Sequence, residues 1–340
     1  MIFRLPLWVA IMSINKIRSI YLLVAFSVII VYYVVGGYAF PDYSNYITLV
    51  ENGGYLFSPD EYAAEWISRF ILRNGFGFFS TSKGSVDFLA VVSQLFFVIS
   101  IYLLMRNGTK QHQKGWLFFT LLLSPLLLTT VLRATPAYII VAYLAYYERG
   151  LSRRSVFLGL LAVSFHDSAI VMILIYFIVV IFCNVFSGVK LWMLRFSMWC
   201  ALAVIVFSQY VSYLILVVLS QFDFGVRSVY MQGVESFSIV KKLFIVFVWF
   251  VAYTLLYNKS ASLKSKVFVT AGVVLVALSF SINEVVGIRF SAYILGSAVV
   301  CKGAFLLSGK EKSNYSVLDY FFAFLYFLLM FYDVFRNAKI

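Results

Sequence analysis

Long, nearly uncharged apolar runs are the feature that most constrains how this chain can fold. A helix needs about 20 apolar residues to cross a hydrocarbon core of about 30 Å. Nine runs approach or exceed that length: 19–40, 86–105, 116–132, 168–186, 196–219, 239–257, 267–286, 288–307 and 317–335. Two shorter runs, 137–147 and 155–165, have a length at which a re-entrant segment competes with a full span. Counted together, the runs predict about 11 transmembrane helices.

The composition excludes a soluble globular domain. Apolar residues make up 63% of the chain and charged residues 12%, whereas soluble domains have about 25% charged residues. We therefore predict an all-α polytopic membrane protein with a single transmembrane domain over residues 1–340. No small-residue cleavage site follows the first short apolar run, so we expect the first long span to act as its own signal.

The distribution of basic residues predicts the orientation. With the N-terminus inside, the inner segments hold 17 of the 27 basic residues but 3 of the 14 acidic ones. This bias follows the positive-inside rule, so we expect a cytoplasmic N-terminus and, with an odd number of spans, a C-terminus on the outer side. The same bias explains most of the net charge of +13, and we expect no nucleic-acid partner.

The outer face carries the longest polar segments. The main outer loop covers residues 41–85, and a second one covers 220–238. Within the first, Ser58 or Asp60 can cap a helix in which Trp66, Phe70 and Arg73 recur at helical spacing. We interpret this segment as a helix at the membrane surface. The inner loops are short, which argues against a cytoplasmic active site that uses nucleotides.

Five basic residues lie at or near outer span ends, against the positive-inside trend: Arg133, Arg227, Lys241, Lys242 and Arg289. Ionisable groups at membrane depth are costly and tend to be functional, although span-end cations often only snorkel. Thr135 and Pro136 have the pattern of an N-cap and a first helical residue. Helix N-termini next to guanidinium groups favour phosphate, so the pattern predicts an anion site on the outer side.

The stretch Ser164-Phe165-His166-Asp167-Ser168 places one of the chain's two histidines beside a carboxylate. Asp167 or Ser168 can cap the following helix. His166 can donate to a backbone carbonyl, pair with phosphate or transfer a proton near neutral pH.

The first outer loop contains several carboxylates that could act as a general base, and their spacing does not show which one does. They are Asp42, Glu51, Asp60, Glu61 and Glu65. The three cysteines have no paired spacing, and no nucleotide-binding loop or zinc signature is present. We expect neither a metal nor a cofactor.

Four stretches together resemble a known family: PDYSNYITLVENGGY with DEYAAEWISRFI; VLRATPAYIIVAYLAYYERG; LLAVSFHDSAIVMIL; and GVRSVYMQG with GIRFSAYIL. In order and spacing they resemble the EpsG-like and Wzy-type polymerases of bacterial surface polysaccharides. One departure follows Arg133, where the family often has Gln and a small residue while this chain has Ala-Thr-Pro.

The resemblance implies a fold similar to the GT-C class, in the bacterial inner membrane, with a periplasmic active site and a periplasmic C-terminus. It implies polymerisation of undecaprenyl-pyrophosphate-linked repeat units into O-antigen or exopolysaccharide, without cofactor or metal. The implied partners are the lipid-linked glycans, membrane lipids and a chain-length regulator protein.

The resemblance also implies roles for individual residues. Arg133, Arg227 and Arg289 would bind pyrophosphate, with Lys241 and Lys242 beside them. His166 would bind phosphate or transfer a proton, and Glu65, then Asp42, would be the general base. The sugar contacts would come from Tyr230, Tyr293 and Asp167.

Three other functions compete with polymerisation. A glycan ligase of the O-antigen type shares nearly all of this chemistry, but its family often has its large outer loop late in the chain. A membrane acyltransferase would need an inner acyl-donor site, where His112 stands alone in a basic loop. A flippase would need internal pseudo-symmetry, which the sequence does not show.

Overall fold

The architecture is that of a computed structural model, which describes residues 16–51, 65–108, 110–147, 150–185, 188–219, 239–258 and 261–302. These residues form α-helices joined by short turns, and two of the turns are 3-10 helices, at Gly37–Ala39 and Leu132–Ala134. The described residues contain no β-strand. The all-α prediction is confirmed for this part of the chain.

The described α-helices are numbered in chain order. They are α1 Lys16–Val35, α2 Pro41–Glu51, α3 Trp66–Phe79, α4 Ser82–Asn107, α5 Lys110–Thr129, α6 Thr135–Tyr147, α7 Arg153–Phe165, α8 Ala169–Val185, α9 Leu191–Val206, α10 Ser208–Leu219, α11 Ile239–Leu255, α12 Leu263–Ile282 and α13 Glu284–Lys302.

Three of these helices, α1, α4 and α12, are long and apolar enough to cross a membrane, and the bent pair α9–α10 makes up to four. The predicted total of 11 spans is therefore not confirmed among the described residues. The run 317–335 lies outside them.

The apolar run 196–219, predicted as one span, is two helices. The axes of α9 and α10 differ by 84° at Phe207. A helix end leaves backbone carbonyls without intrahelical partners, and here the Lys242 ammonium donates to the Val206 carbonyl at 2.6 Å. The run is therefore bent rather than one straight helix, and apolarity alone does not reveal a break whose free carbonyl is satisfied by a distant lysine.

The chain divides into two compact units. Among the described residues, unit 1 contains those in 16–140 and 157–170, and unit 2 contains those in 141–156 and 171–302.

In unit 1, α4 is the helix against which α1, α3 and α5 pack. Tyr21 of α1 donates to the Val98 carbonyl at 2.8 Å, and Gln94 donates to the Leu128 carbonyl of α5 at 2.9 Å. The approach of α3 is close because Gly75 has no side chain: a Cβ there would lie 3.0 Å from the Ser85 Cα. Buried polar groups that find backbone partners in this way hold the helices in one register.

Helix α2 is attached to α4 by a buried tyrosine. The Tyr43 hydroxyl donates to Asp87 Oδ1 at 2.7 Å. Tyr43 and Tyr46 also belong to an apolar cluster with Leu72 of α3 and Phe165 of α7. This cluster fixes the relative positions of the segments that carry the candidate site.

The predicted surface helix corresponds in part to α3. Trp66 and Phe70 are 58% and 62% exposed, and Arg73 is exposed on the same side. Ser68, Ile71, Leu72 and Gly75 form the opposite, buried face. The predicted caps, Ser58 and Asp60, lie outside the described residues.

In unit 2, α12 packs on α13 and α9, and α11 packs on α13. Helices α12 and α13 approach closely at Gly272, where a Cβ would meet the Ile294 side chain. The Trp249 indole N–H of α11 donates to the Met198 carbonyl of α9 at 2.6 Å. Unit 2 is thus also held by polar side chains that reach backbone carbonyls of neighbouring helices.

We predict that Tyr43→Phe lowers the free energy of unfolding by about 1–2 kcal/mol, because it removes a hydrogen bond to a half-buried carboxylate. Thermal melting in detergent measures the change. Thr48→Ala is the control, since that hydroxyl donates to the Ser44 carbonyl of the same helix, at 3.0 Å on an exposed face. Equal melting temperatures for Tyr43→Phe and the wild type would contradict the anchoring role.

Candidate functional site

Four charged or titratable side chains meet in unit 1: Glu65, Arg133, His166 and Asp167. Arg133 Nη1 donates to Glu65 Oε2 at 2.8 Å. His166 Nδ1 lies 2.6 Å from Glu65 Oε1 and 3.1 Å from Asp167 Oδ1. In sequence, Arg133 is 68 residues and His166 is 101 residues away from Glu65. We call these four residues the charged cluster.

Glu65 is the centre of the charged cluster. Its side chain is 1% exposed, and it immediately precedes α3. One turn further on, the Ser68 hydroxyl donates to the Phe165 carbonyl at 2.7 Å. Residues three apart share a helix face, so Ser68 anchors the start of α3 against the turn that contains His166. Glu65 makes no capping bond to α3, because its carboxylate faces the cluster instead.

Arg133 lies in the 3-10 turn that separates α5 from α6. Its guanidinium carbon is 5.6 Å from the centre of the Tyr46 ring, in a cation–π arrangement. Its side chain is 20% exposed, so it is the most accessible cation of the cluster.

The predicted N-cap at Thr135 was wrong. Thr135 is itself helical, with φ −49° and ψ −48°, and its hydroxyl donates to the Leu127 carbonyl at 2.6 Å. The physical reason is that α5 ends nearby, and its free carbonyls compete for the hydroxyl. Pro136 is then the second residue of α6.

His166 and Asp167 form the turn between α7 and α8. The His166 N–H donates to the Ala162 carbonyl, which ends α7. The Asp167 N–H donates to Glu65 Oε1 at 3.1 Å, and Asp167 Oδ1 accepts the Ser168 N–H at 2.7 Å. Asp167 therefore satisfies a backbone donor at the entrance to α8, as predicted for a cap, and also contacts the imidazole.

The cluster favours a positively charged imidazole. Burial by itself lowers the pKa of His166, but hydrogen bonds to Asp167 and Glu65 outweigh burial and raise the pKa above its ordinary value. The hydrogen bond from His166 lowers the pKa of Asp167. Two carboxylates thus face one guanidinium and one imidazolium. Nε2 of His166 makes no hydrogen bond to the described residues, which leaves it available to a ligand.

The same three residues, Glu65, His166 and Asp167, offer ligand atoms within 4.8 Å of one another, a spacing suited to a metal ion. The Arg133 guanidinium already occupies Glu65 Oε2, however, and places a positive charge beside these ligands. The cluster holds two carboxylates and two basic groups, and Arg133 is a positive group beside any ligand bound here.

Unit 2 contains four of the other predicted site residues. The Lys241 ammonium forms an ion pair with Glu284, and Lys242 binds the Val206 carbonyl. Arg289 is exposed in α13, whereas Tyr293, one turn further on, is 1% exposed. The pairing of Lys241 with a carboxylate reduces the charge that it can offer to an anion.

Asp42 is the second residue of α2. Arg227 and Tyr230 lie outside the described residues.

Sequence reasoning missed three residues that hold the site together: Ser68, Tyr46 and Asp87. One signal was available, because Asp87 is the single charged residue in the apolar run 86–105, and such residues mark specific interactions. Ser68 and Tyr46 gave no signal, since serine and tyrosine are common on both the buried and the exposed faces of helices.

The described residues are all-helical, and their membrane-length apolar helices indicate a membrane protein. The chain belongs to the EpsG family, whose sequence model matches residues 20–339. Family membership indicates a glycosyltransferase-like function of the polysaccharide-polymerase type. Searches among curated proteins and solved structures gave no match.

We predict that Glu65→Gln lowers the pKa of His166 and destabilises the fold by about 3–5 kcal/mol, the usual effect of removing one partner from a buried ion pair. Nuclear magnetic resonance titration of imidazole nitrogens measures the pKa. Because the chain has two histidines, a His112→Gln background leaves His166 as the single reporter. An unchanged pKa of His166 in Glu65→Gln would show that Glu65 does not stabilise the protonated imidazole.

Proposed function

We propose that this protein polymerises undecaprenyl-pyrophosphate-linked oligosaccharide repeat units into a surface polysaccharide at the periplasmic face of the inner membrane. The single observation that carries the proposal is the charged cluster, in which Arg133 and His166 place two positive groups beside each other near the ends of helices. Family membership supplies the polymer-forming reaction type.

The reaction forms one bond and breaks another. The hydroxyl oxygen of an acceptor sugar attacks the anomeric carbon of the donor glycan, and the bond from that carbon to the pyrophosphate oxygen breaks. Undecaprenyl pyrophosphate leaves with the electron pair, and the hydroxyl proton passes to a base. Negative charge therefore develops on the leaving pyrophosphate, and preorganised donors aimed at that charge accelerate the step.

We assign binding of the pyrophosphate to Arg133 and His166. A guanidinium and an imidazolium donate charge-assisted hydrogen bonds to phosphate oxygens. Nε2 of His166 is the available donor, because Nδ1 is engaged with Glu65 and Asp167. Arg133, at 20% exposure, reaches the surface of the cluster.

We assign to Glu65 the role of a positioning carboxylate. Oε2 accepts from Arg133, and Oε1 accepts from His166 and from the Asp167 N–H. A carboxylate with both oxygens occupied is poorly placed to take a proton from an acceptor sugar. Its chemistry here is to orient the two cations and to fix the His166 tautomer, as carboxylates do for catalytic histidines.

We assign the general base to Asp42. It precedes Tyr46 by four residues in α2, a spacing that places both on one helix face. The Tyr46 ring contacts the Arg133 guanidinium, so this face of α2 borders the charged cluster. The contacts to the leaving group and the sugars that the sequence predicts for Arg289, Lys241, Lys242, Tyr293, Arg227 and Tyr230 stay predictions. Asp167 would contact a sugar through its exposed side, since its side chain is 52% exposed.

We predict that Arg133→Ala, His166→Ala and Asp42→Asn each reduce polymer formation by about 10²–10³-fold, as expected when a stabiliser of transition-state charge or a base is removed. Gel ladders of surface polysaccharide from complemented deletion cells measure the effect, at matched protein levels. The expected pattern is a single repeat unit on the lipid carrier.

Arg73→Ala is the matched control, because Arg73 is an exposed arginine on the outward side of α3 and should leave the ladder unchanged. Normal ladders from both Arg133→Ala and His166→Ala would refute the proposal. Long chains that remain on the undecaprenyl carrier in deletion cells would instead indicate a ligase, and an unchanged ladder with less acyl decoration would indicate an acyltransferase.

We predict that polymerisation in membrane vesicles declines as pH rises through the pKa of His166, which lies above its ordinary value of 6.5. The imidazolium is the form that binds pyrophosphate, so activity is retained below that pKa and lost above it. The stabilisation that this protonation gives the fold has the same sign, being complete below pH 6.5 and lost as pH rises through the raised pKa. His166→Gln should remove this decline from the pH profile, and activity that increases over the same range would show that neutral His166 acts as a base.

A further inference from the structure

A second feature, in unit 2, has no part in the proposed reaction. An apolar groove of about 210 Å³ runs between α9 and α12, lined by Phe196, Ser197, Cys200, Ala201, Val204, Val274, Ala277 and Leu278. Phe196 and Leu278 are 64% and 45% exposed, so the groove opens outward from these two helices. Helix α12 is a candidate membrane span, and α9 is one together with α10 as a bent pair.

Two cations lie at one end of the groove. Arg195 precedes the groove residues of α9, and Lys266 precedes those of α12. The helices that carry them pack against each other, and the positive charge of Arg195 acts on Lys266. Arg195 is held by the Tyr257 ring, with its guanidinium carbon 4.5 Å from the ring centre, and its Nε is buried without a hydrogen-bond partner.

Neither cation has an anionic partner in the described part of the chain. Arg195 and Lys266 form no side-chain ion pair or hydrogen bond there. Like charges held together without a carboxylate are unfavourable unless an anion is bound between them. The unpaired Arg195 Nε supplies a donor for that anion.

The dimensions fit one lipid chain. From Arg195 to Val204 the helix rises about 14 Å at 1.5 Å per residue, which is about half of a 30 Å hydrocarbon core. Trp192, one turn before Arg195, is 61% exposed, and exposed tryptophans are typical of the headgroup level. The groove therefore extends from the headgroup level to about the bilayer centre.

We propose that this groove binds an acidic phospholipid of the inner leaflet, with its phosphate on Arg195 and Lys266 and one acyl chain between α9 and α12. The positive-inside bias places this end of both helices on the cytoplasmic side. Basic pockets between transmembrane helices on that side are suited to anionic headgroups. The site is independent of the charged cluster and of the proposed polymerisation.

The chain carries its own reporter for this site. Cys200 lines the groove and is exposed, Cys301 is buried, and Cys183 is partly exposed. A fluorophore on Cys200 in a Cys183→Ser background reports which lipid lies in the groove. The full-length protein is placed in phosphatidylcholine vesicles with a minor fraction of brominated phosphatidylglycerol or, in parallel, of brominated phosphatidylcholine.

Each cation near the headgroup favours an acidic lipid by about fivefold, so we expect the two together to make brominated phosphatidylglycerol the preferred quencher by about 25-fold. Arg195→Gln with Lys266→Gln should bring the preference close to one. Arg106→Gln with Arg153→Gln is the control, since it removes the same charge from two exposed arginines away from the groove and should keep the preference.

A second measurement uses unlabelled protein, because the fluorophore itself occupies space in the groove. Phosphatidylglycerol should raise the melting temperature of the wild type and of the control pair, but not that of Arg195→Gln with Lys266→Gln. Equal quenching by both brominated lipids, or a preference that persists in the double variant, would overturn the proposal. Displacement by substoichiometric undecaprenyl phosphate would also overturn it, by showing that the groove belongs to the carrier lipid.

Discussion

The Glu65 carboxylate is the interaction on which the candidate site depends. It is 1% exposed and holds three donors, from Arg133, His166 and the backbone of Asp167. A buried carboxylate is costly unless its oxygens are satisfied, so the three donors and Glu65 require one another. This mutual requirement connects the start of α3, the α5–α6 turn and the α7–α8 turn at one place.

The charges of the cluster are balanced in a way that suits anion chemistry. Two carboxylates compensate two cations, and the hydrogen bonds to Asp167 and Glu65 keep the pKa of His166 high. In the proposed reaction, an arriving pyrophosphate would find donors that are already oriented, so little reorganisation would accompany the step. Asp167 contributes both to this balance and to the start of α8, where it accepts the Ser168 N–H.

Much of the fold was readable from the sequence, because apolar runs and helix signals are local. The boundaries of α1, α4 and α12 follow the predicted runs closely. The break at Phe207 and the helical conformation of Thr135 could not be predicted from the sequence. At the break, the Val206 carbonyl accepts from the distant Lys242. Near Thr135, the Leu127 carbonyl accepts from the Thr135 hydroxyl. Chain position alone does not show where such a carbonyl will lie.

For the site, the sequence by itself determined the residue types: an arginine at the end of an apolar run, a histidine beside a carboxylate, and a set of carboxylates between two apolar runs. Those follow from the cost of placing ionisable groups near a membrane. Only the tertiary structure decided that Glu65, among several carboxylates, meets Arg133 and His166, and that Tyr46, Ser68 and Asp87 hold the elements around them. The reason is physical: pairing of charges 68 to 101 residues apart depends on how helices pack, and packing is a property of the whole unit rather than of any one stretch.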